Sequence, residues 1–300
     1  MHRAIAAWLN ERSWHAGVAT AVCGVMAPQM PLPFLILAGA IPAFVVLSKD
    51  ARLGLILGAI GSIAVAAAIL PMAEPARLKL AGCVAIIFSA TLLASLWRRT
   101  RSPNLSFQVA VLGMALALVL VYVGLPGPDA FWVKRLTRLM KTMTEAGLTA
   151  QRDDVDALVQ VWARTMWGAL AAMMLTAILL SLFLGRWWLT LLRNPGEFGA
   201  EFRQLRLGKV LGIVVTILFI MALSLQMPLV DSLAWVGFAG LTFQGLAAAH
   251  RSKASGRLNR GWLAAIYVLL LMPLSTSVTL FVLAIWGFVD NWLRPRALVS

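Results

Sequence analysis

The chain has 300 residues, of which 61% are hydrophobic and 13% are charged, and its formal net charge is +14. Its longest polar stretches, 129–164 and 186–209, are too short to form a soluble catalytic domain with a core of its own. An excess of Lys and Arg is typical of the cytoplasmic loops of membrane proteins, so we expect no nucleic-acid partner. We predict an all-α, polytopic transmembrane helical bundle that forms one integral membrane domain over residues 1–300.

The first uncharged stretch, Ser13–Ser48, is too long for one ordinary transmembrane helix and short for two. Prolines between Pro28 and Pro33 interrupt it, and proline breaks a helix because it lacks a backbone donor and clashes with the preceding turn. We therefore predict two short crossings here, or a re-entrant helix equivalent to them, with a turn near Pro31.

Three uncharged stretches follow at Leu53–Ala73, Leu80–Trp97 and Ser102–Pro128. Gly54, Gly58 and Gly61 give the first of them a smooth face, which indicates close packing against a neighbouring helix. Cys23 and Cys83 lie inside apolar stretches without a His or carboxylate nearby in sequence. We predict that they are buried free thiols and that the chain holds no metal.

Residues 129–164 form a polar stretch that we predict to be a non-cytoplasmic amphipathic helical insertion. Its first half has an apolar face that includes Trp132 and Leu136, and an opposite face of lysine and arginine. Three aspartates within Asp153–Asp156 begin the next helix, where the helix dipole favours acidic side chains, so we do not predict a cation site. Such a helix lies on the membrane surface or folds over the spans as a lid.

The span Thr165–Gly185 leads into a segment that we call the elbow, residues 186–209, and predict to be cytoplasmic and interfacial. Two tryptophans suit the lipid headgroup layer, an Asn-Pro-Gly sequence predicts a turn, and three apolar residues follow at helical spacing. The alternative is a docking surface for a partner protein. The residues that define the elbow are Arg186, Trp187, Trp188, Asn194, Pro195, Gly196, Phe198, Glu201, Phe202, Arg203, Leu205 and Arg206.

The elbow also carries a family resemblance. Its motifs Arg-Trp-Trp, Asn-Pro-Gly-x-Phe and Glu-Phe-Arg-x-Leu-Arg-Leu, within Arg186–Leu207, resemble those of the YybS-like group, an uncharacterised family of bacterial multi-pass membrane proteins. That group is similar to the substrate-binding S components of energy-coupling-factor transporters. The resemblance implies a small-molecule site in the membrane, a partner that supplies energy, and a place in the bacterial inner membrane. It assigns no ligand-binding residue.

Two further spans, Val210–Val230 and Ser232–Ala249, precede a final uncharged stretch, Gly261–Val289. This last stretch has 29 residues and is broken at Pro273, so we again predict two short crossings. The predicted bundle thus has about 8–10 membrane segments, with short or broken helices near both ends.

The distribution of Lys and Arg predicts how the bundle is oriented. Alternate loops, which begin at Lys49, Arg98, Arg186 and Arg251, hold 14 basic residues, whereas the loops on the other side hold 8. With two crossings at each end of the chain, the termini join the first group and raise its count to 18. Because cytoplasmic loops are the more basic, we predict that the elbow and both termini face the cytoplasm.

Polar groups inside the predicted spans are few. No nucleophile stands beside a base and no phosphate-binding glycine loop is present, so we expect neither an enzyme nor a cofactor. Broken helices near both ends are typical of transporter binding sites. We therefore predict that the two breaks adjoin and flank a cavity for a neutral or weakly cationic ligand on the non-cytoplasmic side. The predicted ligand-binding residues are Gln29, Gln226, Asp231, Ser275, Thr276 and Ser277.

The sequence leaves two functions open. The first is a small-molecule-binding or transport-related subunit that resembles the S components. The alternative is a membrane scaffold or assembly protein that docks its partners through residues 186–209. Both functions place the protein in the lipid bilayer of the bacterial cytoplasmic membrane as a multi-pass protein.

Overall fold

The computed structural model describes residues 2–71, 76–146, 152–225 and 227–293, and within these ranges it is helical without any strand. The helices are α1 (His2–Glu11), α2 (Ser13–Met26), α3 (Pro31–Ser48), α4 (Ala51–Ile69), α5 (Ala76–Thr100), α6 (Pro103–Gly124), α7 (Pro128–Glu145), α8 (Arg152–Arg193), α9 (Glu197–Phe202), α10 (Gly208–Leu225), α11 (Pro228–Ala254), α12 (Arg260–Leu271) and α13 (Pro273–Leu293). In the described ranges, seven of them, α4, α5, α6, α8, α10, α11 and α13, are long and apolar enough to cross a bilayer. The predicted all-α polytopic bundle is confirmed, and the chain is a multi-pass membrane protein.

The long helices run between two opposite ends of the bundle. At one end, which we call the elbow end, Arg98 donates a hydrogen bond to the carbonyl oxygen of Val46 at 2.5 Å. Arg193 donates to the carbonyl oxygen of Ser48 at 2.9 Å. These contacts bring the carboxyl ends of α3, α5 and α8 together, so these three helices run in the same direction.

At the opposite end, which we call the far end, the start of α7, the start of α11 and the end of α6 lie together. The Trp167 indole donates to the carbonyl oxygen of Pro128 at 2.9 Å, and the Tyr122 hydroxyl donates to that of Pro228 at 3.2 Å. Helix α8 has 42 residues and is about 63 Å long, well beyond a hydrocarbon core of roughly 30 Å. Its first turns therefore project past the far end, where Val159 and α7 pack together.

The first uncharged stretch forms two helices, one that runs from the elbow end to the far end and one that runs back, as the two-crossing arrangement predicts. Helices α2 and α4 run side by side in one direction, because Gly17 lies beside Leu57 and Gly24 lies beside Gly61. The chain turns after Met26, and α3 brings it back to the elbow end. Helix α1 also lies at the elbow end, where it packs on α8.

The final stretch repeats this arrangement. Helix α12 leaves the elbow end, and the chain turns at Met272, whose backbone is extended between α12 and α13. Helix α13 then runs beside α11 in the same direction, since Thr242 donates to the carbonyl oxygen of Leu280 while Arg251, further on, pairs with Asp290. The described chain therefore ends near the elbow end.

The prediction that the two proline breaks adjoin is wrong. The first break belongs to α2 and α3, which pack on α4, α5 and α8. The second belongs to α12 and α13, which pack on α11 and α10. Helix α8 lies between these two groups because it packs on both α3 and α11. The breaks are thus in different halves of the bundle.

The glycine face of α4 packs closely on its neighbours, as predicted. A β-carbon built on Gly61 would lie 2.8 Å from the Thr20 side chain of α2, and one built on Gly58 would lie 3.3 Å from the Thr91 hydroxyl of α5. Without side chains at these positions, α4 can approach both helices, which contributes dispersion energy where lipid offers no hydrophobic driving force.

The predicted orientation can be tested by cysteine labelling. With Cys23 and Cys83 replaced by alanine, we expect a cysteine at Asn194 to resist an impermeant maleimide in intact spheroplasts and to react once the membrane is opened. A cysteine at Glu145, an exposed position at the end of α7, should react in intact spheroplasts. The reverse pattern would invert the topology.

Candidate functional site

The first part of the elbow, residues 186–193, forms the last two turns of α8, and the turn that follows has the predicted geometry. Gly196 has a φ angle of 97°, in the left-handed region where a residue with a β-carbon is strained. The side-chain amide of Asn194 donates to Glu197 at 3.1 Å, which fixes the start of α9 against the turn. A sharp reversal at the end of α8 results, and it points α9 back toward the bundle.

The apolar residues of the elbow are buried against the same chain. The Phe202 ring lies 5.6 Å from the Phe183 ring of α8 and 5.4 Å from the His250 ring of α11, in edge-to-face arrangements. Leu205 is fully buried. Because these side chains pack inside the protein, they do not form an exposed apolar surface for a partner.

Side-chain amides hold the non-helical backbone between α9 and α10. The backbone N–H of Leu207 donates to Gln244 at 2.8 Å, and that of Arg206 donates to Asn104 at 3.1 Å. Gln108 donates to the carbonyl oxygen of Leu207 at 3.0 Å. Buried backbone groups outside helices need such partners. Gln244, a polar residue in the middle of an apolar span, therefore has a structural role.

An ion pair that the sequence pattern did not reveal closes the elbow end. Asp290 of α13 accepts a hydrogen bond from Arg251 of α11, and Gln244 donates to the same carboxylate at 3.3 Å. Asp290 directly follows the last uncharged stretch, so its position in sequence suggested only a span boundary. Its pairing with Arg251 requires α11 and α13 to lie side by side, which no local feature of the sequence indicates.

A cavity of about 560 Å³ lies at the elbow end, between the carboxyl ends of α3 and α5, the last two turns of α8, and α9. Cavities of 300–1,000 Å³ are typical of small-molecule sites. The cavity wall contains four arginines and two glutamates, a net charge of +2. Leu47, Trp97 and Leu189 contribute the large apolar side chains of its lining.

Arg186 is already neutralised inside the cavity wall. Its guanidinium makes two hydrogen bonds to the Glu201 carboxylate, at 2.8 and 2.6 Å, and lies 3.3 Å from Glu197. The side chains of Arg186 and Glu201 are only 16% and 17% exposed. A paired guanidinium and carboxylate of this kind is strong and geometrically specific, so α9 is fixed to α8 through it.

The other three arginines of the wall keep donors available. Arg98 and Arg193 each use one donor on a carbonyl oxygen at the end of α3, and a guanidinium has five. The side chain of Arg101 makes no ion pair or hydrogen bond with any residue that the structure describes, and its φ angle of 52° is unusual for a residue other than glycine. Strained backbone of this kind clusters at binding sites.

In the sequence, these arginines indicated only the orientation of the chain. Arg186 and Arg193 are seven residues apart, so they lie on one face of α8. Arg98, in the last turn of α5, and Arg101, just after its end, both line the cavity. Two basic clusters at the same predicted depth were a usable signal, but nothing local showed that α5 and α8 would face each other.

The predicted ligand-binding residues do not gather at one place. Gln29 is exposed at the turn between α2 and α3. The hydroxyls of Ser275 and Thr276 donate to carbonyl oxygens of α12 at 2.8 and 3.1 Å, and Ser277 is exposed. Gln226 lies outside the described residues. None of the described residues in this set lines the cavity at the elbow end.

Asp231 belongs to a separate polar group at the far end. Its carboxylate lies 3.3 Å from Arg164 of α8, while the Tyr122 hydroxyl lies 3.0 Å from that of Ser232. Burial raises the pKa of the neighbouring Asp129 carboxyl, and the charge of Arg164 lowers it in part. These residues join α6, α7, α8 and α11. In the described ranges, no cluster of three or more His, Cys, Asp or Glu residues could hold a metal.

Comparison of the chain with protein-family models, with curated proteins and with solved structures finds no match. The fold and the cavity therefore define the protein only as a multi-pass helical membrane protein with a basic cavity at one end. The resemblance of Arg186–Leu207 to the YybS-like group stays a hypothesis.

Proposed function

We propose that the protein is a small-molecule-binding or transport-related subunit of the bacterial inner membrane, and that it binds an anionic ligand in the cavity at the elbow end. One observation carries this proposal, the cavity of about 560 Å³ with a net charge of +2 in its wall. The proposal moves the site away from the terminal proline breaks and changes the expected ligand from neutral or cationic to anionic.

The scaffold function has weaker support. It requires an exposed docking surface on residues 186–209, yet Phe202, Leu205 and Leu207 are buried against the rest of the chain. What the elbow exposes is mainly the polar turn before α9. A cavity with unused donors favours a small ligand over a partner protein, because such donors gain most from an acceptor that enters and excludes water.

Replacing Arg101 tests the proposal directly. The purified protein would be titrated in a neutral detergent with sodium sulfate and with sodium succinate, against sodium chloride at matched ionic strength, with thermal stability as the readout. We expect Arg101→Gln to raise the Kd of the anion that binds by about tenfold or more, because a hydrogen bond to a charged group contributes roughly 1.5–3 kcal/mol.

The matched control is Arg99→Gln, which removes the same charge two residues earlier, from a position that is exposed like Arg101 but lies outside the cavity wall. We expect it to change the Kd less than twofold, by screening alone. Equal losses in the two variants would show non-specific attraction and refute the site. Failure of every soluble anion to stabilise the unaltered protein beyond chloride, together with no retention of an anionic lipid, would refute the proposed function and favour the scaffold.

A further inference from the structure

The arginines around the elbow cavity and one buried hydroxyl offer hydrogen-bond donors that no described residue uses. Both carboxylates of the wall are paired with Arg186, whereas the guanidinium of Arg101 has no partner in the described chain. The Ser48 hydroxyl is buried and also has no hydrogen-bond partner within the described ranges. A buried hydroxyl without a partner costs about 1–3 kcal/mol. Arg98, Arg101 and Arg193 are exposed to water, so a ligand that accepts from them together with Ser48 would replace water at the arginines and satisfy the buried hydroxyl.

These donors approach the cavity from three different helices. Ser48 ends α3, Arg101 follows the end of α5, and Arg193 ends α8. A carboxylate is planar and offers two oxygens, which one or two guanidinium groups satisfy. A terminal phosphate offers three oxygens in a tetrahedral arrangement, so it can accept from separate helices at the same time.

The charge of the wall selects among phosphate groups. Its net charge of +2 matches a phosphate monoester, which carries about −1.5 to −2 at pH 7. A diester carries about half of that charge and has one fewer free oxygen. We infer that the ligand of this cavity is a phosphate monoester group, held by Arg98, Arg101 and Arg193 with the hydroxyl of Ser48. This inference rests on the proposed function, because it names the chemical class of the ligand for the same site.

Such a group has two sources, and the position of the cavity admits both. The cavity lies where α3, α5 and α8 end. The ends of membrane-spanning helices lie near the headgroup layer, and basic pockets between such helices on the cytoplasmic side bind lipid headgroups. A monoester can be the headgroup of phosphatidic acid, or it can belong to a water-soluble phosphate ester. Both sources present the same terminal group to the arginines.

The test compares glycerol 3-phosphate with succinate, a dicarboxylate of similar size and charge, in titrations of the detergent-purified protein. A parallel arm measures retention of phosphatidic acid, against phosphatidylcholine, by native mass spectrometry from nanodiscs. We expect a phosphate probe to bind at least tenfold more tightly than succinate. Ser48→Ala should weaken phosphate binding about fivefold, the loss of one hydrogen bond, and Arg101→Gln should weaken it further.

The pH dependence provides a second readout. The second ionisation of a phosphate monoester has a pKa near 6, so at pH 5 roughly nine-tenths of the probe is a monoanion. We expect its affinity to fall severalfold between pH 7.5 and pH 5, while that of sulfate, a dianion at both values, stays constant. Equal pH dependence for the two probes would contradict recognition of the dianion.

The remaining outcomes separate the inference from the proposed function. Binding of glycerol 3-phosphate without retention of phosphatidic acid assigns a soluble ester, and retention of phosphatidic acid, whose headgroup is the same ester, assigns a lipid; both outcomes support the inference. If succinate binds as tightly as the phosphate probes and depends on Arg101, the phosphate inference is overturned while the proposed function stands. If neither class of anion binds, both fail.

Discussion

Replacing Gly245 or Gly287 with alanine is expected to be the most damaging small change in the bundle. Helices α11 and α13 touch backbone to backbone at these glycines. A β-carbon on Gly287 would overlap the carbonyl oxygen of Leu241 and lie 2.8 Å from the backbone nitrogen of Gly245. One on Gly245 would overlap the carbonyl oxygen of Leu283. Backbone atoms cannot move aside by changing a rotamer, so the two helices would have to separate.

Separation of α11 and α13 would also break the contacts at the elbow end. Gln244 and Arg251 of α11 both reach Asp290 of α13, and the pairing is lost when the helices move apart. Overpacking alone costs about 1–3 kcal/mol, and an unpaired buried charge adds several more. We expect Gly287→Ala to lower the melting temperature by ten degrees or more in detergent, and Gly287→Leu to give no monodisperse protein.

Gly82→Ala and Gly113→Ala are the matched controls. Both glycines lie inside membrane helices, and a β-carbon there would meet nothing within 4 Å. Alanine has the higher helix propensity by up to about 1 kcal/mol, so these variants should be as stable as the original protein or slightly more stable. Equal melting temperatures for Gly287→Ala and Gly113→Ala would mean that α11 and α13 are not in contact in the folded protein.

The spans and the places where the chain reverses were predictable because their signals are local. Stretches without charge predict the long helices, and the prolines near Pro31 and at Pro273 predict the turns within both terminal stretches. The neighbours of each helix were not predictable, since a face that meets lipid and a face that meets another helix are both apolar. Helix α11 is the least apolar of the seven long helices and the most buried, whereas the more apolar α10 mostly faces outward.

The candidate site shows the same difference between local features, which the sequence predicts, and contacts between distant residues, which it does not. The turn at Gly196 depends on a local motif and was predicted correctly. The cavity requires Ser48, Arg101 and Arg193 to meet, and these residues are far apart in sequence. The hydroxyls near Pro273 suggested a binding site. Those of Ser275 and Thr276 instead donate hydrogen bonds to carbonyl oxygens of the adjoining helix, and Ser and Thr in apolar helices commonly bond to the backbone in this way.

Removing one partner of the Arg186–Glu201 pair is expected to have the second largest effect. Each side chain is more than four-fifths buried, and the pair joins α9 to α8 through two short hydrogen bonds. Arg186→Met would leave the carboxylates of Glu201 and Glu197 facing a half-closed cavity without their counter-charge. Breaking a buried pair in this way costs roughly 3–5 kcal/mol. We expect a loss of about 3 kcal/mol in the free energy of unfolding, measured by titration with SDS in mixed micelles.

The double variant Arg186→Met, Glu201→Met separates the pairing from the burial of charge. Replacing both members of a buried ion pair with apolar residues of similar volume is often close to neutral, so the double variant should be more stable than either single variant. The exposed pair Lys141–Glu145, with its nitrogen and oxygen 4.0 Å apart, provides the control cycle, and its coupling should stay below about 0.5 kcal/mol. If the losses of Arg186→Met and Glu201→Met simply add in the double variant, the two side chains do not hold the elbow together, and α9 is fixed by the packing of Phe202 alone.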